Sequence, residues 1–286
     1  VRVLILGASG LLGRALCAEA KYRKLEVISA ARASTDVLLD IADLKSLQHT
    51  LFDLSPDLVI NAAADVNLAN CEANPNAAFA TNAAPAQILA EWSAKTDRQF
   101  VQISTDHFFD GDGRDKHDES APVTLLNQYA RSKFAAENFA LQSKFSLVVR
   151  TSIVGFHPDQ RGFAAWAMNS IINRKAMTLF ADFYGSSIDI DTFSTAIFDL
   201  IEERSSGLLN LASCEVSSKQ EFVLALAKTA QVDLNWAETG SVTALSPIRA
   251  RSLGLDVNKA EKMLGRRLPN LNDVCKKLLS SWKSNL

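Results

Sequence analysis

Tyr129 and Lys133 stand in the segment Tyr-Ala-Arg-Ser-Lys, an i, i+4 spacing that puts a phenol and an ammonium on one face of a helix. A tyrosine with a reference pKa of about 10 is a sluggish acid or base at neutral pH. A cation about 5 Å away favours the phenolate by roughly 3 kcal/mol at an effective dielectric constant of about 20, or roughly two pK units. Lys133 can thereby bring Tyr129 into a useful range for proton transfer. Ser104-Thr105-Asp106 ends an apolar run, Phe100 to Ser104, that reads as a strand, and α/β sheets place their ligand-handling residues at such strand ends. Thr105 is then placed to hydrogen-bond a reacting oxygen. Singly, each pattern has a plain alternative: an exposed tyrosine beside a solvated lysine, or an ordinary polar turn.

The elements that must position this chemistry begin with Val1 to Leu6, a continuous apolar run of the kind found in strands buried on both faces of a parallel sheet. Gly7-Ala8-Ser9-Gly10-Leu11-Leu12-Gly13 follows at once and opens a helix from Leu11 to Ala20. Gly7 permits a tight turn, Gly10 lets the backbone approach a pyrophosphate, and Gly13 allows close packing of helix on strand, with helix N–H groups facing the phosphates. The spacing is G-x-x-G-x-x-G rather than G-x-G-x-x-G. The second strand, Leu25 to Ala31, leads into Arg32 with no acidic residue to hold a ribose 2′-hydroxyl. Arg32 suits a 2′-phosphate instead, which favours NADP(H) and leaves NAD(H) possible. A solvated surface arginine is the other reading. Asp40 and Ile41 fall where the adenine would lie. Ala62, Ala63 and Ala64, after Asn61 at the end of the third strand, are small enough to let backbone line a cofactor, or simply to pack tightly. Lys133 has further donors for the nicotinamide ribose hydroxyls.

Strand-then-helix alternation continues through Leu44 to Leu54, Leu58 to Ala62, Ala77 to Lys95, Phe100 to Ser104, Tyr129 to Leu141 and Ser146 to Arg150. This predicts an α/β protein: a Rossmann-like doubly wound parallel sheet with a smaller, interwoven C-terminal α/β substrate domain. Residues 1–152, with returning segments near 188–205, form the expected NAD(P)-binding domain; 153–187 and 206–286 form the expected substrate-binding region. Helices are expected over Gly162 to Asn173, Lys219 to Ala230 and Val257 to Leu264, with a short strand at Leu208 to Ala212.

With 286 residues, nearly half of them hydrophobic, the chain can bury a sizeable core. Thirty basic against 32 acidic residues, a net charge of -2 without like-charge runs, exclude a nucleic-acid or membrane surface as the partner. Cys17, Cys71, Cys214 and Cys275 are widely spaced and read as reduced thiols, and Val1 to Leu6 is too short for a signal or a membrane span, so a cytoplasmic location is expected. His49, His107, His117 and His157 are dispersed, so no transition-metal site is expected; a loosely held magnesium stays open. The acidic loop Asp110 to Glu119 reads as a subunit contact, an active-site edge or a solvated loop.

Together these residues resemble the dTDP-4-dehydrorhamnose reductase family, the sugar-nucleotide reductase branch of the extended short-chain dehydrogenase/reductases. The resemblance spans essentially the whole chain and rests on Gly7 to Gly13, Asn61 to Ala64, Ser104 to Asp106, Phe109-Asp-Gly111, Tyr129 to Lys133 and Arg150-Thr-Ser152. It continues more diffusely through Tyr184-Gly185, Phe198 to Ile201, Gly207 to Leu211 and Arg249 to Lys259. It implies an oxidoreductase acting on a CH–OH/C=O group: hydride transfer from NAD(P)H to the 4-keto group of a nucleotide-linked deoxysugar, with Tyr129 as proton donor. By position, Thr105, Tyr129 and Lys133 match the catalytic residues. Gly10 to Leu12, Asp40, Ile41 and Ala62 to Ala64 match cofactor contacts, and Asp106 borders the sugar. The implied partner is the sugar nucleotide, and a homodimer is allowed.

Two departures from the family pattern fall on the substrate side. His107 stands where the family has tyrosine, and Ile153-Val-Gly155 replaces an aromatic Trp-Val-Tyr segment. His107 is either a second acid/base or a hydrogen-bonded structural residue. A dehydratase of the same superfamily would carry Asp-Glu after the threonine, and Asp106-His107 argues against it. An NAD-dependent sugar-nucleotide epimerase remains the alternative enzyme, and a non-catalytic NAD(P)-binding regulatory subunit the alternative of another kind.

Overall fold

The computed structural model describes residues 1–111 and 113–284, so Asp112, within the acidic loop singled out above, lies outside the described residues. The chain divides into two compact units. One comprises Val1–Thr105, Leu125–Arg150 and Ser194–Leu209, the other Asp106–Thr124, Thr151–Phe193 and Asn210–Leu286.

In the first unit, strands β1 (Arg2–Leu6), β2 (Glu26–Ala31), β3 (Val37–Leu38), β4 (Leu58–Asn61), β5 (Gln99–Ile103) and β6 (Ser146–Arg150) alternate with helices. These are α1 (Leu11–Tyr22), α2 (Leu44–Leu54), α3 (Leu68–Ala73), α4 (Pro75–Asn82), α5 (Ala84–Thr96) and α6 (Gln128–Ala140). The strand Gly207–Asn210 joins the sheet beside β6, giving the order Gly207–Asn210, β6, β5, β4, β1, β2, β3. Pairings from β6 across to β3 are parallel. Val3, Leu4, Ile5 and Leu6 of β1 are all buried, as a strand covered on both faces requires. The order reverses at β1, whose neighbours are β2 and β4, and such a switch point opens a crevice at the strands' carboxyl ends.

The expected helix Ala77 to Lys95 is two helices, α4 and α5, separated at Ala83. Pro85 has no N–H to donate, and its ring displaces the carbonyl four residues earlier. It therefore sits at the first turn of α5, where no intrahelical donor is needed. The apolar periodicity ran through this break and hid it.

The second unit is built from short sheets and helices. Tyr184–Gly185 pairs with Ser217–Ser218 on one side and Ser252–Leu253 on the other, Ile153–Val154 pairs with Ile188–Asp189, and Thr178–Phe180 pairs with Glu238–Gly240. Helices Phe163–Ile172, Lys219–Thr229 and Leu271–Ser284 enclose a core around Met168, Phe222, Leu226, Val274 and Leu278. A capping box fixes the start of Lys219–Thr229: Ser218 Oγ accepts the Glu221 N–H, and the Glu221 carboxylate accepts the Ser218 N–H at 2.8 Å. No helix among the described residues is long and apolar enough to cross a membrane.

Candidate active site

The glycine turn lies at the switch point of the first unit. Gly7 takes a left-handed φ of +76°, and a Cβ there would sit 2.7 Å from the Ala63 backbone, so both the conformation and the approach of β4's trailing loop demand glycine. A Cβ on Gly13 would collide with the Gly7 carbonyl and the Ala8 backbone, so its absence lets α1 begin directly on the turn. Gly10 is the N-cap of α1, and no side chain caps the helix. The first backbone N–H groups of α1 therefore face outward beside a position without a Cβ, a cradle that fits a dinucleotide's pyrophosphate. Ser9, Leu11 and Leu12 are half-buried on this turn, and Ala62 to Ala64 are half-buried beside it. Ile41 is packed into the first unit's core, Asp40 is exposed, and Arg32 is exposed just beyond β2. An acidic group does stand near β2: Asp36 Oδ2 accepts hydrogen bonds from the Ser29 N–H at 2.9 Å and its hydroxyl at 2.7 Å, which hold the carboxyl below its ordinary pKa.

Tyr129, Lys133 and Glu137 follow one another along α6, and all three are buried. Asn127 caps this helix by accepting the Ala130 N–H at 2.8 Å. Asn82, itself buried, donates to Ser132 Oγ at 3.0 Å, and the Ser132 hydroxyl donates to the Tyr129 carbonyl at 2.8 Å, which ties α6 to α4. Lys133 Nζ donates to the Ile103 carbonyl at 2.6 Å, two residues before Thr105 in the chain. Thr105 is buried directly after β5. The same Ile103 carbonyl accepts from Gln102 Nε2 at 2.9 Å, and Gln102 Oε1 accepts from Asn61 Nδ2 at 2.9 Å. A buried chain of hydrogen bonds thus links the end of β4, the end of β5 and Lys133. Burial pushes the Lys133 ammonium from 10.5 down to about 8, against the opposing pull of Glu137. Glu137 in turn receives two guanidinium nitrogens of Arg150, Nε at 3.0 Å and Nη2 at 2.8 Å, in a fully buried pair.

Asp106 and His107, next in the chain, belong to the second unit, as does Ile153. Asp106 is buried, hydrogen-bonds Ser152, and lies 3.7 Å from where a Cβ on Gly185 would stand. Desolvation raises its carboxyl above the ordinary range. His107 Nε2 lies 4.0 Å from Asp106 Oδ1, and desolvation lowers the imidazole, with Asp106 opposing and Lys219 and Arg249 adding to the effect. Ile153 follows Ser152 and pairs with Ile188.

Sequence reasoning gave no role to Gln102, Asn82, Lys219 or Arg249. Gln102 carries a detectable signal, a polar residue between the apolar Val101 and Ile103 of a strand, whereas Asn82 ends a helix that has other polar residues and Lys219 reads only as the first residue of a helix. Cys17, Cys71, Cys214 and Cys275 are free thiols, and no group of three or more potential metal ligands gathers among the described residues.

The family model described as the RmlD substrate binding domain matches residues 1–283. The spore coat polysaccharide biosynthesis protein SpsK of Bacillus subtilis is 28% identical over 254 residues, covering 88% of this chain and 84% of that protein. The dTDP-4-dehydrorhamnose reductase of Mycolicibacterium smegmatis is 31% identical over 224 residues, covering 76% and 66%. Among solved structures, the dTDP-4-dehydrorhamnose reductase of Bacillus anthracis in complex with NADP superposes with a TM-score of 0.86 at 24% identity, covering 98% of this chain and 97% of that one. The parallel sheet, the glycine turn at its switch point and a family match over nearly the whole length agree: this chain belongs to the RmlD substrate binding domain family.

Proposed function

We propose that the chain is an NAD(P)H-dependent reductase of the 4-keto group of a nucleotide-linked deoxysugar, with Tyr129 as proton donor. The observation that carries the reading is the tether from Lys133 Nζ to the Ile103 carbonyl, which holds the lysine against the strand end that leads into Thr105, on the same helix as Tyr129. The relatives' reductase names support the chemistry.

When bound, the dinucleotide supplies the hydride. The α1 N-terminus and the Gly7–Gly13 turn would hold its pyrophosphate, Ala62 to Ala64 would line it, and Asp40 and Ile41 would border its adenine. Arg32 favours the 2′-phosphate and so NADP(H) over NAD(H). Thr105 hydrogen-bonds the carbonyl oxygen and Tyr129 delivers the phenolic proton to it as negative charge develops. The Lys133 ammonium stabilises the phenolate left behind. Asp106, His107 and Ile153 are the sugar-side residues, and a histidine and an aliphatic residue there shape a pocket of their own.

The test is loss of NADPH absorbance with a panel of nucleotide-linked 4-keto sugars, for the native chain and Tyr129→Phe. Turnover that falls about a hundredfold or more in the variant, at unchanged NADPH affinity, supports the reading and names the sugar. Epimerised product without net cofactor oxidation, or cofactor binding without any turnover, overturns it.

A further inference from the structure

Gln102 is wholly buried in β5, between the apolar Val101 and Ile103. A buried amide is costly unless its polar groups are met, and replacing a buried hydrogen-bonded pair by apolar groups of the same shape is nearly neutral for stability. The sheet alone gives no reason for an amide at this position. The amide's bonds are directed. The Ala63 N–H donates to Asn61 Oδ1 at 3.2 Å, so the Asn61 amino group faces the other way and donates to Gln102 Oε1 at 2.9 Å. Gln102 Nε2 is thereby turned onto the Ile103 carbonyl, at 2.9 Å. One backbone N–H, in the Ala62 to Ala64 stretch that would line the cofactor, sets the orientation of both amides. The chain ends on the carbonyl that holds Lys133 Nζ at 2.6 Å. A carbonyl oxygen has two lone pairs, and with Gln102 on one the ammonium is confined to the other. The Cε–Nζ bond and one fixed N–H then determine, by tetrahedral geometry, where the other two ammonium donors point.

We propose that Gln102 is a positioning residue for Lys133: acting through the Ile103 carbonyl, it fixes the place and direction of the ammonium, with Asn61 holding its amide in the required orientation. This deepens the proposed reductase reading and rests on it. Removing the Gln102 donor leaves the carbonyl to the ammonium alone, and a stronger hydrogen bond to the charged form favours that form. The same change frees the ammonium to take either lone pair, so its other donors lose their direction. Tyr129 and Glu137 flank Lys133 along α6 and Arg150 of β6 pairs with Glu137; a change at Gln102 leaves all three in place.

The test follows the ε-carbon NMR signal of Lys133 through pH in the full, cofactor-free chain carrying isotope-labelled lysine, with Lys133→Met assigning the signal. Gln102→Met should raise the Lys133 titration midpoint by about half a pK unit or more, which is about a threefold change in the proton equilibrium. Asn61→Leu, which keeps the Gln102 donor but releases its orientation, should move the midpoint the same way by less, and it carries the measurement if Gln102→Met does not fold. In NADPH-dependent reduction, Gln102→Met should lower kcat about tenfold while the sugar KM stays within about twofold. A purely structural defect would lower the melting temperature and leave the Lys133 midpoint where it was, and that result overturns the positioning role. So does a shifted midpoint with kcat unchanged. A midpoint that shifts as expected, in a chain that reduces no keto sugar, leaves the hold of Gln102 on Lys133 standing and removes the reductase reading. Reduction of a keto sugar with the midpoint unmoved in both variants does the reverse.

Discussion

Lys133 and Ile103 are joined by a 2.6 Å hydrogen bond from the lysine Nζ to the isoleucine carbonyl, which places a buried ammonium against the last residue of a central strand. The contact locates the lysine more firmly than its own flexible stem could, because the Ile103 carbonyl is also held by Gln102. It also leaves the ammonium with donors to spare.

The depressed pKa of Lys133 sets a pH dependence. The folded chain releases this proton near pH 8, whereas the unfolded chain holds it to about 10.5. Below about pH 8 the buried charge costs its full penalty, and the cost is relieved as pH rises toward 10.5. Lys133→Met removes the titration, so its stability relative to native should fall by roughly 3 kcal/mol between pH 7 and pH 10.5. Urea unfolding of both proteins at the two pH values measures this. A relative stability that rises with pH would contradict the assignment.

Glu137 and Arg150 form a pair with side chains 1% and 3% exposed, so removing one partner strands the other. Glu137→Gln should destabilise the fold by about 3 to 5 kcal/mol. Replacing both residues with apolar ones of similar volume should cost less than that single change. Denaturant melts of the single and double variants decide the order.

Gly10 and Gly13 separate binding from folding. A Cβ on Gly10 would meet the Gly7 carbonyl at 3.2 Å, a tight but adjustable contact. Gly10→Ala should therefore fold yet bind NADPH about tenfold or more weaker, because the methyl stands where backbone would approach the pyrophosphate. Gly13→Ala, by contrast, collides with backbone and should lower the melting temperature as well as the affinity. Fluorescence titration and thermal melts of each variant distinguish the two effects.

Arg32 is exposed, so its contribution should be specific to the cofactor and sensitive to salt. Arg32→Ala should raise the NADPH KM by about tenfold, leave the NADH KM within about twofold, and leave stability unchanged. Equal use of the two cofactors before and after the change would remove Arg32 from the cofactor site.

Much of the first unit was legible because its strands are continuous apolar runs bounded by glycines and polar strand ends. Each such run, from Val3–Leu6 to Ser146–Arg150, can be read without knowing its neighbours. The placement of Tyr129 and Lys133 on one helix follows from spacing alone, while the proton-donor role of Tyr129 is a proposal that the Tyr129→Phe comparison tests. What escaped was non-local. The link from Asn61 through Gln102 to Lys133 joins residues from three separate elements, and no periodicity reveals it. Lys219 comes within electrostatic reach of Asp106 from more than a hundred residues away in sequence, in a unit whose strands are too short to show alternation. The break between α4 and α5 was missed because apolar spacing continued across a proline.

The outermost strand beside β2 is β3, which has only two residues, Val37 and Leu38, and Leu38 is 71% exposed. A longer apolar edge would offer unpaired backbone groups to another chain and invite strands to stack between molecules. At two residues this edge has too little backbone to template such an addition. The sheet can thus keep its deeply apolar middle strands and still resist edge-to-edge aggregation at β3, where lengthening the strand by a few β-branched residues would be expected to lower solubility.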